Sequence, residues 1–364
     1  MTGKSSLART AVTISLAALI LASLMLSGCG TEEVLRSRLM WEPKAGSAMT
    51  WTGQSIGMQL NVNDRVMSLA AVSAADATHA WAVGNNGAVL SLDGEGWRQR
   101  MVGQPNQWMG VSALDSNHVW AVGQERENAG QPGTEKHSEY YAAISFYDGT
   151  SWHKQASRAF KHTWLQGVFA LVTMHVWAVG PHGTILFFDG SGWSRQSSGT
   201  AVELRGVSAC DPKHVWAVGD KGTILFYDGS SWKKQGSGTG AGFMGVSAQT
   251  PAHVWAAGSD GVYFFDGSKW SKQPGVALEQ FTASGIFALD PFHVWAVGGN
   301  QELGTAVAFF DGSAWSIQQV ANDNVGLAGI TAADPSHVWA AGMVGVLMTG
   351  PVGGPVILFG TDKP

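Results

Sequence analysis

Seven copies of Trp-Ala-(Val/Ala)-Gly run through this chain, at Trp81, Trp120, Trp177, Trp216, Trp255, Trp295 and Trp339. Successive copies are 39, 57, 39, 39, 40 and 44 residues apart. A repeat of about 40 residues, rich in short strands, is the signature of a propeller blade. The chain is therefore expected to be all-β: a seven-bladed β-propeller of four-stranded antiparallel blades, closed by an N-terminal strand that completes the last blade. Because most conspicuous residues recur in every copy, they belong first to the scaffold.

The fourth copy is the cleanest. Leu204-Arg205-Gly206-Val207-Ser208-Ala209 has the small and β-branched residues that fit the crowded axis of a ring, and is assigned to the innermost strand. Asp211-Pro212-Lys213-His214 follows, with Asp and Pro placed as a type I turn prefers them. Val215 to Gly219 is the second strand. Asp220-Lys221-Gly222 is a tight hairpin in which Gly supplies a positive φ. Thr223 to Tyr227 is the third strand, Asp228-Gly229-Ser230-Ser231 turns the chain, and Trp232 to Gln235 is the outer strand.

A second tryptophan set sits in Asp-Gly-x-x-Trp, at Trp97, Trp152, Trp193, Trp232, Trp270 and Trp315. A buried indole removes roughly 150–250 Å² from water, on the order of 4 kcal/mol gross, and its N–H calls for a partner. The two sets are read as the stacking force between blades. The seventh copy lacks Asp-Gly-x-x-Trp. Trp51 to Gln54 echoes it at the front of the chain, so this segment is expected to be the seventh outer strand, with Pro355 to Phe359 as the third. Blade one is expected to begin near Val66. Such closure removes free sheet edges, which invite aggregation.

The string Val-Trp-Ala-Val-Gly-x-x-Gly-Thr-Ile-Leu-x-(Phe/Tyr)-Asp-Gly-x-x-Trp, at Val176–Trp193 and Val215–Trp232, resembles the bacterial photosystem II stability/assembly-factor-like propellers. It also resembles the Asp-box repeats of sialidase-type propellers, which read Ser-x-Asp-x-Gly-x-Thr-Trp; here Gly follows Asp directly. The similarity covers nearly all of the chain after Trp51. It implies the fold, whereas an activity has to be argued from a site.

The front of the chain reads as an export signal. Lys4 and Arg9 precede the apolar run Ala11 to Leu26, too short to span a bilayer. The run closes with Leu26-Ser27-Gly28-Cys29, which resembles the lipobox of bacterial lipoproteins. That resemblance implies cleavage after residue 28 and lipid on Cys29; the alternative is an ordinary signal peptide with an unrelated cysteine. Residues 29–48 are expected to form a tether and 49–364 the propeller. With Gly30 after Cys29, the sorting rule for lipoproteins points to the outer membrane or cell surface. Once Cys29 is modified, Cys210 has no disulfide partner and reads as a small buried residue.

Loss of residues 1–28 removes two cations and no acid, taking the formal charge from −5 to −7. An acidic chain without basic clusters is a poor nucleic-acid binder. No carboxylate pair, Ser-His-Asp order or phosphate loop stands out, so no catalytic residue, metal ligand or cofactor is assigned. A histidine precedes each Ala/Val-Trp, at His79, His118, His175, His214, His253, His293 and His337. Equivalent atoms in packed sheets lie about 10 Å apart and zinc–nitrogen bonds are about 2.1 Å, so these seven cannot share one ion. They are expected to hydrogen-bond locally.

Alternating strand direction gives the ring two faces. One carries the monotonous Asp-Pro-x-His and Asp-Gly turns. The other carries the second-to-third hairpins and the inter-blade links, and it varies. Blade two holds the insertion Gln124 to Tyr140, and blade six holds Gly299 to Leu303. The residue two before the inner-strand Val/Ile also differs by blade: Ala70, Met109, Gln166, Arg205, Met244, Ser284 and Ala328. Loops on a rigid scaffold are where recognition resides, and aromatic, Met and Arg side chains suit protein interfaces. Trp108, Met109, Trp164, Gln166, Arg205, Phe243 and Met244 are therefore the candidate contact face; the alternative is that they only plug the channel. The expected function is a monomeric, lipid-anchored, non-catalytic scaffold for a protein or peptide partner. The alternatives are a glycan-directed enzyme of sialidase or lyase type, or an adhesin for polysaccharide.

Overall fold

The computed structural model describes residues 49–54, 68–100, 107–126, 139–155, 159–275, 278, 281–300, 304–319, 325–344 and 355–361. The export signal, the tether with Cys29, Val66, and residues 127–138 and 301–303 of the two loop insertions lie outside the described residues.

Seven four-stranded antiparallel sheets form the ring, each with its strands in sequence order except the last. There the outer strand is Thr50–Gly53, paired antiparallel with Pro355–Thr361 so that Trp51 faces Gly360. Gln54 extends the clasp through its N–H to the Ile357 carbonyl at 2.9 Å. The predicted closure is thus the observed one. The first described strand of blade one starts at Leu69.

Local chemistry explains the turns. At Asp220-Lys221-Gly222-Thr223 the Thr223 N–H reaches the Asp220 carbonyl at 3.1 Å. Both Lys221 (φ 55°) and Gly222 (φ 63°) are left-handed. The sequence reading gave that burden to glycine alone; a type I′ turn needs it at both central positions. In the Asp-Gly turn, Asp228 Oδ1 accepts the N–H groups of Ser230 and Ser231, both at 2.9 Å, and the Ser230 hydroxyl at 2.7 Å. The same carboxylate bracket recurs at Asp148, Asp189, Asp266 and Asp311.

The blades meet along seven seams, each filled by one apolar cluster built from two neighbouring sheets. Three concentric sets of contacts hold a seam. At the axis, inner-strand backbones touch. A Cβ on Gly167 would lie 2.7 Å from the Arg205 carbonyl oxygen, and one on Gly206 would lie 3.2 Å from the Gly245 Cα. Beside these glycines, the hydroxyls of Ser73, Ser112, Ser208 and Ser247 each accept a backbone N–H of the next blade at 3.0 Å, and Thr331 does so at 3.2 Å. Phe169 and Phe287 occupy that slot in blades three and six.

In the middle of each seam lies the tryptophan of the repeat, 1–4% exposed. At the outer edge, the tryptophan of one blade donates to a glutamine of the blade before it: Trp193 to Gln155, Trp232 to Gln196, Trp270 to Gln235 and Trp51 to Gln318, at 2.7–2.9 Å. The expectation that each indole finds a partner is corrected elsewhere. The N–H groups of Trp97, Trp108, Trp120, Trp177, Trp255 and Trp315 are buried without one among the described residues. Each such N–H costs about 1–3 kcal/mol, which ring packing offsets.

Two predictions follow from the seams and the turns. Gly167→Ala forces its Cβ to 2.7 Å from backbone, whereas on Gly245 it would meet the Ile286 side chain and backbone nitrogen at an ordinary 3.4 Å. Urea unfolding is expected to show a loss of about 1–3 kcal/mol for the first and less than about 1 kcal/mol for the second. Equal losses would show that axial contact does not set the blade spacing.

The Asp189 carboxyl is held down to about 2 by the Ser191 hydroxyl and by the N–H groups of Ser191 and Gly192. A depressed folded pKa contributes stability that is complete above the ordinary carboxylate value and lost as pH falls through the folded one. The thermal midpoint of the native chain should therefore drop between pH 4 and 2. Asp189→Asn should lower the midpoint at neutral pH and flatten its slope in that window.

Candidate functional site

The variable positions share a structural cause that the sequence pattern did not reveal. Six of the seven inner strands open with a register shift: between Leu69 and Ala71, Trp108 and Gly110, Leu204 and Gly206, Phe243 and Gly245, Ala283 and Gly285, and Leu327 and Gly329. In blade three the Gln166 N–H reaches the Val179 carbonyl at 2.8 Å, just before the paired Gly167. A β-bulge adds one unpaired residue and re-aims its side chain. That extra residue is Ala70, Met109, Arg205, Met244, Ser284 or Ala328, with Gln166 in the matching place. The six bulges and the Gln166 link thus bring seven side chains of five kinds to one mouth of the channel.

The residue before each of them turns the other way, into a seam. Trp108 is 1% exposed and Phe243 is fully buried. Both therefore leave the candidate contact face: they are core residues of the seams that blade two makes with blade one and blade five with blade four. Met109, Trp164, Gln166, Arg205 and Met244 remain half-buried at the mouth. The end of the blade-two insertion and the link from blade two to blade three add two residues that sequence reasoning missed. Tyr140 packs against Trp164 with ring centroids 5.9 Å apart, and His162 meets the Tyr140 edge at 5.7 Å. Backbone bonds pin this link: the His162 N–H donates to the Tyr140 carbonyl at 2.9 Å.

Beside the aromatic group lies a polar network. Arg205 donates through Nε to Asp220 Oδ1 at 2.7 Å and through a terminal nitrogen to Oδ2 at 3.3 Å. Its other terminal nitrogen reaches Gln166 Oε1 at 3.3 Å, and the Gln166 amide donates to Glu203. The hydrogen bond that Arg205 donates to Asp220, followed by the nearby charge of Glu203, raises the Arg205 pKa against the effect of burial. One guanidinium faces two carboxylates, so this part of the mouth is net negative. In blade five, Asp260 Oδ2 accepts from Thr239 and Tyr263 at 3.0 and 2.9 Å, while its Oδ1 is buried without a partner among the described residues.

This arrangement can hold an extended segment carrying a cation and apolar side chains. It does not offer Arg205 as a free anchor for a substrate carboxylate, because Asp220 already takes its fork. On the opposite face the histidines do bond locally, as expected: His79, His118, His214, His293 and His337 reach the aspartate three residues earlier at 2.8–3.0 Å, and His253 reaches Thr250 at 3.0 Å. His175 is the exception; Val172 stands where the others have aspartate or Thr250, and the His175 Nδ1 is buried without a partner among the described residues. Cys210, Asp211 and His214 place ligand atoms within 4.8 Å of one another and could hold an ion. The Asp–His half of that group is repeat scaffold.

No family model matches this chain, and no curated protein matches it. Among solved structures, YCF48 bound to D1 peptide is similar, with 15% identity, TM-score 0.63, 89% of this chain and 100% of that chain covered. YCF48 from Cyanidioschyzon merolae aligns at 17% identity and TM-score 0.59, over 85% of this chain and 98% of that one. The RRP9 WD40 repeats align at 9% identity and TM-score 0.63, over 87% and 99%. At these identities the likenesses show the seven-bladed fold.

Proposed function

We propose that this chain is a lipid-anchored, extracytoplasmic scaffold that holds a protein or peptide partner at the bulge-lined mouth. One observation carries the reading. Six register shifts and the Gln166 link aim seven side chains of five kinds at one place, while the rest of the blade is repeated nearly unchanged. A fold that only needed closing would gain nothing from Met109, Gln166, Arg205 and Met244 at equivalent positions. Two further facts support it: the peptide-bound state of the similar YCF48 structure, and the sequence resemblance to photosystem II stability/assembly-factor-like propellers. The negative network of Glu203, Asp220 and Arg205, beside Tyr140 and Trp164, favours a segment with a basic residue next to an apolar one.

In this reading residues 1–28 are the export signal, Cys29 bears the lipid, 29–48 are the tether and 49–364 are a monomeric, non-catalytic propeller at the outer membrane or cell surface. Multiple acyl chains, at about 0.8 kcal/mol per buried CH₂, give stable anchoring. Cys29→Ser is expected to shift the protein from the membrane fraction to the soluble fraction on cell fractionation. Retention of the variant in the membrane would remove the anchor from the reading.

The contact face is tested by crosslinking in the native envelope with a Trp164→Ala, Arg205→Ala double variant. Capture of the principal partner should fall at least about tenfold, with an unchanged β-sheet circular dichroism spectrum. Undiminished capture by the folded variant would sink the contact face. Capture of glycan in place of protein would favour the adhesin alternative.

A further inference from the structure

In six blades the repeat tryptophan faces a phenylalanine across the second and third strands: Phe146, Phe187, Phe226, Phe264, Phe309 and Phe359. Ring centroids of these pairs are 4.6–5.4 Å apart. The turn histidine lies over the same phenyl ring at 5.7–6.1 Å. Every one of these blades therefore holds a His–Phe–Trp trio at the seam.

Blade one breaks the trio. Ser91 stands opposite Trp81 where the phenylalanine belongs. Arg100 stands where the other outer strands carry glutamine, and its Nε donates to Ser91 Oγ at 2.8 Å. A cavity of about 230 Å³ lies there, between blades one and two. Its walls include His79, Trp81, Ser91, Arg100, Tyr147 and Trp152. Two members of the trio are thus in place, and Tyr147 approaches Trp81 at 6.2 Å from the neighbouring blade, much as Phe265 approaches Trp216.

We propose that this cavity receives one phenylalanine side chain from a peptide partner, which completes the trio that blade one lacks. Four features fix the occupant. Trp81, Tyr147 and Trp152 supply three aromatic walls beside polar Ser91, Asp93 and Arg100, and aromatic rings pack best tilted or offset at such separations. The position is one that this same repeat fills with phenyl six times. The volume, below the roughly 300–1,000 Å³ of drug or cofactor pockets, suits a single side chain. The rim carries exposed Arg100, whose Nε is held by Ser91, and half-buried Asp93, whose Oδ2 lies 3.6 Å from an Arg100 terminal nitrogen, so the charges at the rim are paired and polar. The cavity opens beside the Asp-x-x-His turn, at the other end of the blade from the bulges, so it stands independently of the channel mouth.

The test uses the full chain in detergent, titrated with N-acetyl-phenylalaninamide and followed by ligand-observed NMR. Saturable binding is expected, with N-acetyl-leucinamide at least about fivefold weaker. Ser91→Phe supplies the missing ring and should abolish binding without lowering the thermal midpoint. Should that variant not fold, Ser91→Leu fills the same space and is expected to weaken binding at least about tenfold. The reciprocal Phe226→Ser should create a second site and raise the stoichiometry from one to two. Absence of saturation, equal affinity for the leucine probe, or unchanged binding by a folded filled variant would overturn the assignment.

Discussion

The backbones of the seven innermost strands approach one another as closely as polypeptide allows, and the ring depends on that approach. At Gly110 and Gly167 there is no room for a side chain between one inner strand and the next, and at Gly206 the fit would be tight. A neighbouring hydroxyl then converts proximity into a directed bond, as when Ser208 accepts the Ala248 N–H. With the inner edges pinned, the blades must fan outward, and larger side chains can fill the widening seam. Trp216 lies in the middle of its seam and Trp232 at the outer edge of the one before it. Small residues at the axis and large ones outside are thus one constraint expressed at increasing radii.

The same crowding explains the bulges. A strand that touches both neighbours at its centre has to leave the axis at its ends, or it would collide with them. An extra residue bends the strand and increases its twist. In blade four this happens at both ends, around Arg205 and around Cys210. Geometry demands the bulge but leaves its side chain free, because that residue is outside the ladder. Variation can collect there without disturbing the seam, which is why Arg205, Met244 and Ala328 can occupy equivalent places.

This also sets what could be read from the sequence. Residues that every blade needs are periodic, so the tryptophans, the Asp-Gly turns and the clasp through Trp51 were legible. A register shift has no residue of its own. In a regular strand Trp108 reads as a rim neighbour of Met109; the bulge turns it into the core instead. Type I′ geometry at Lys221 was hidden for a similar reason, since any residue can be forced left-handed when the hairpin twist requires it. Long-range partners such as Tyr140 and Trp164 depend on how an inter-blade link folds back, and no local pattern encodes that. Ser91 and Arg100 depart from the repeat, and their meeting at one cavity emerges only in three dimensions.

Closure is what makes such departures tolerable. In an open stack, a seam missing a phenyl ring and a Trp–Gln bond would be the place where the stack parts. In the ring, blades one and two cannot separate unless another seam yields as well, because both are also held from the far side. The clasp enforces this: Trp51 bonds Gln318, and Met49 lies in the seam of blades six and seven, where its sulfur takes the Trp295 N–H at 3.3 Å. The energy lost at one imperfect seam is therefore borne by the whole circle. A cavity lined by His79, Trp81 and Trp152 can persist beside six well-filled seams, and a net-negative mouth can persist above them, because the axial contacts of Gly167, Gly206 and their neighbours leave the blades no freedom to collapse into either.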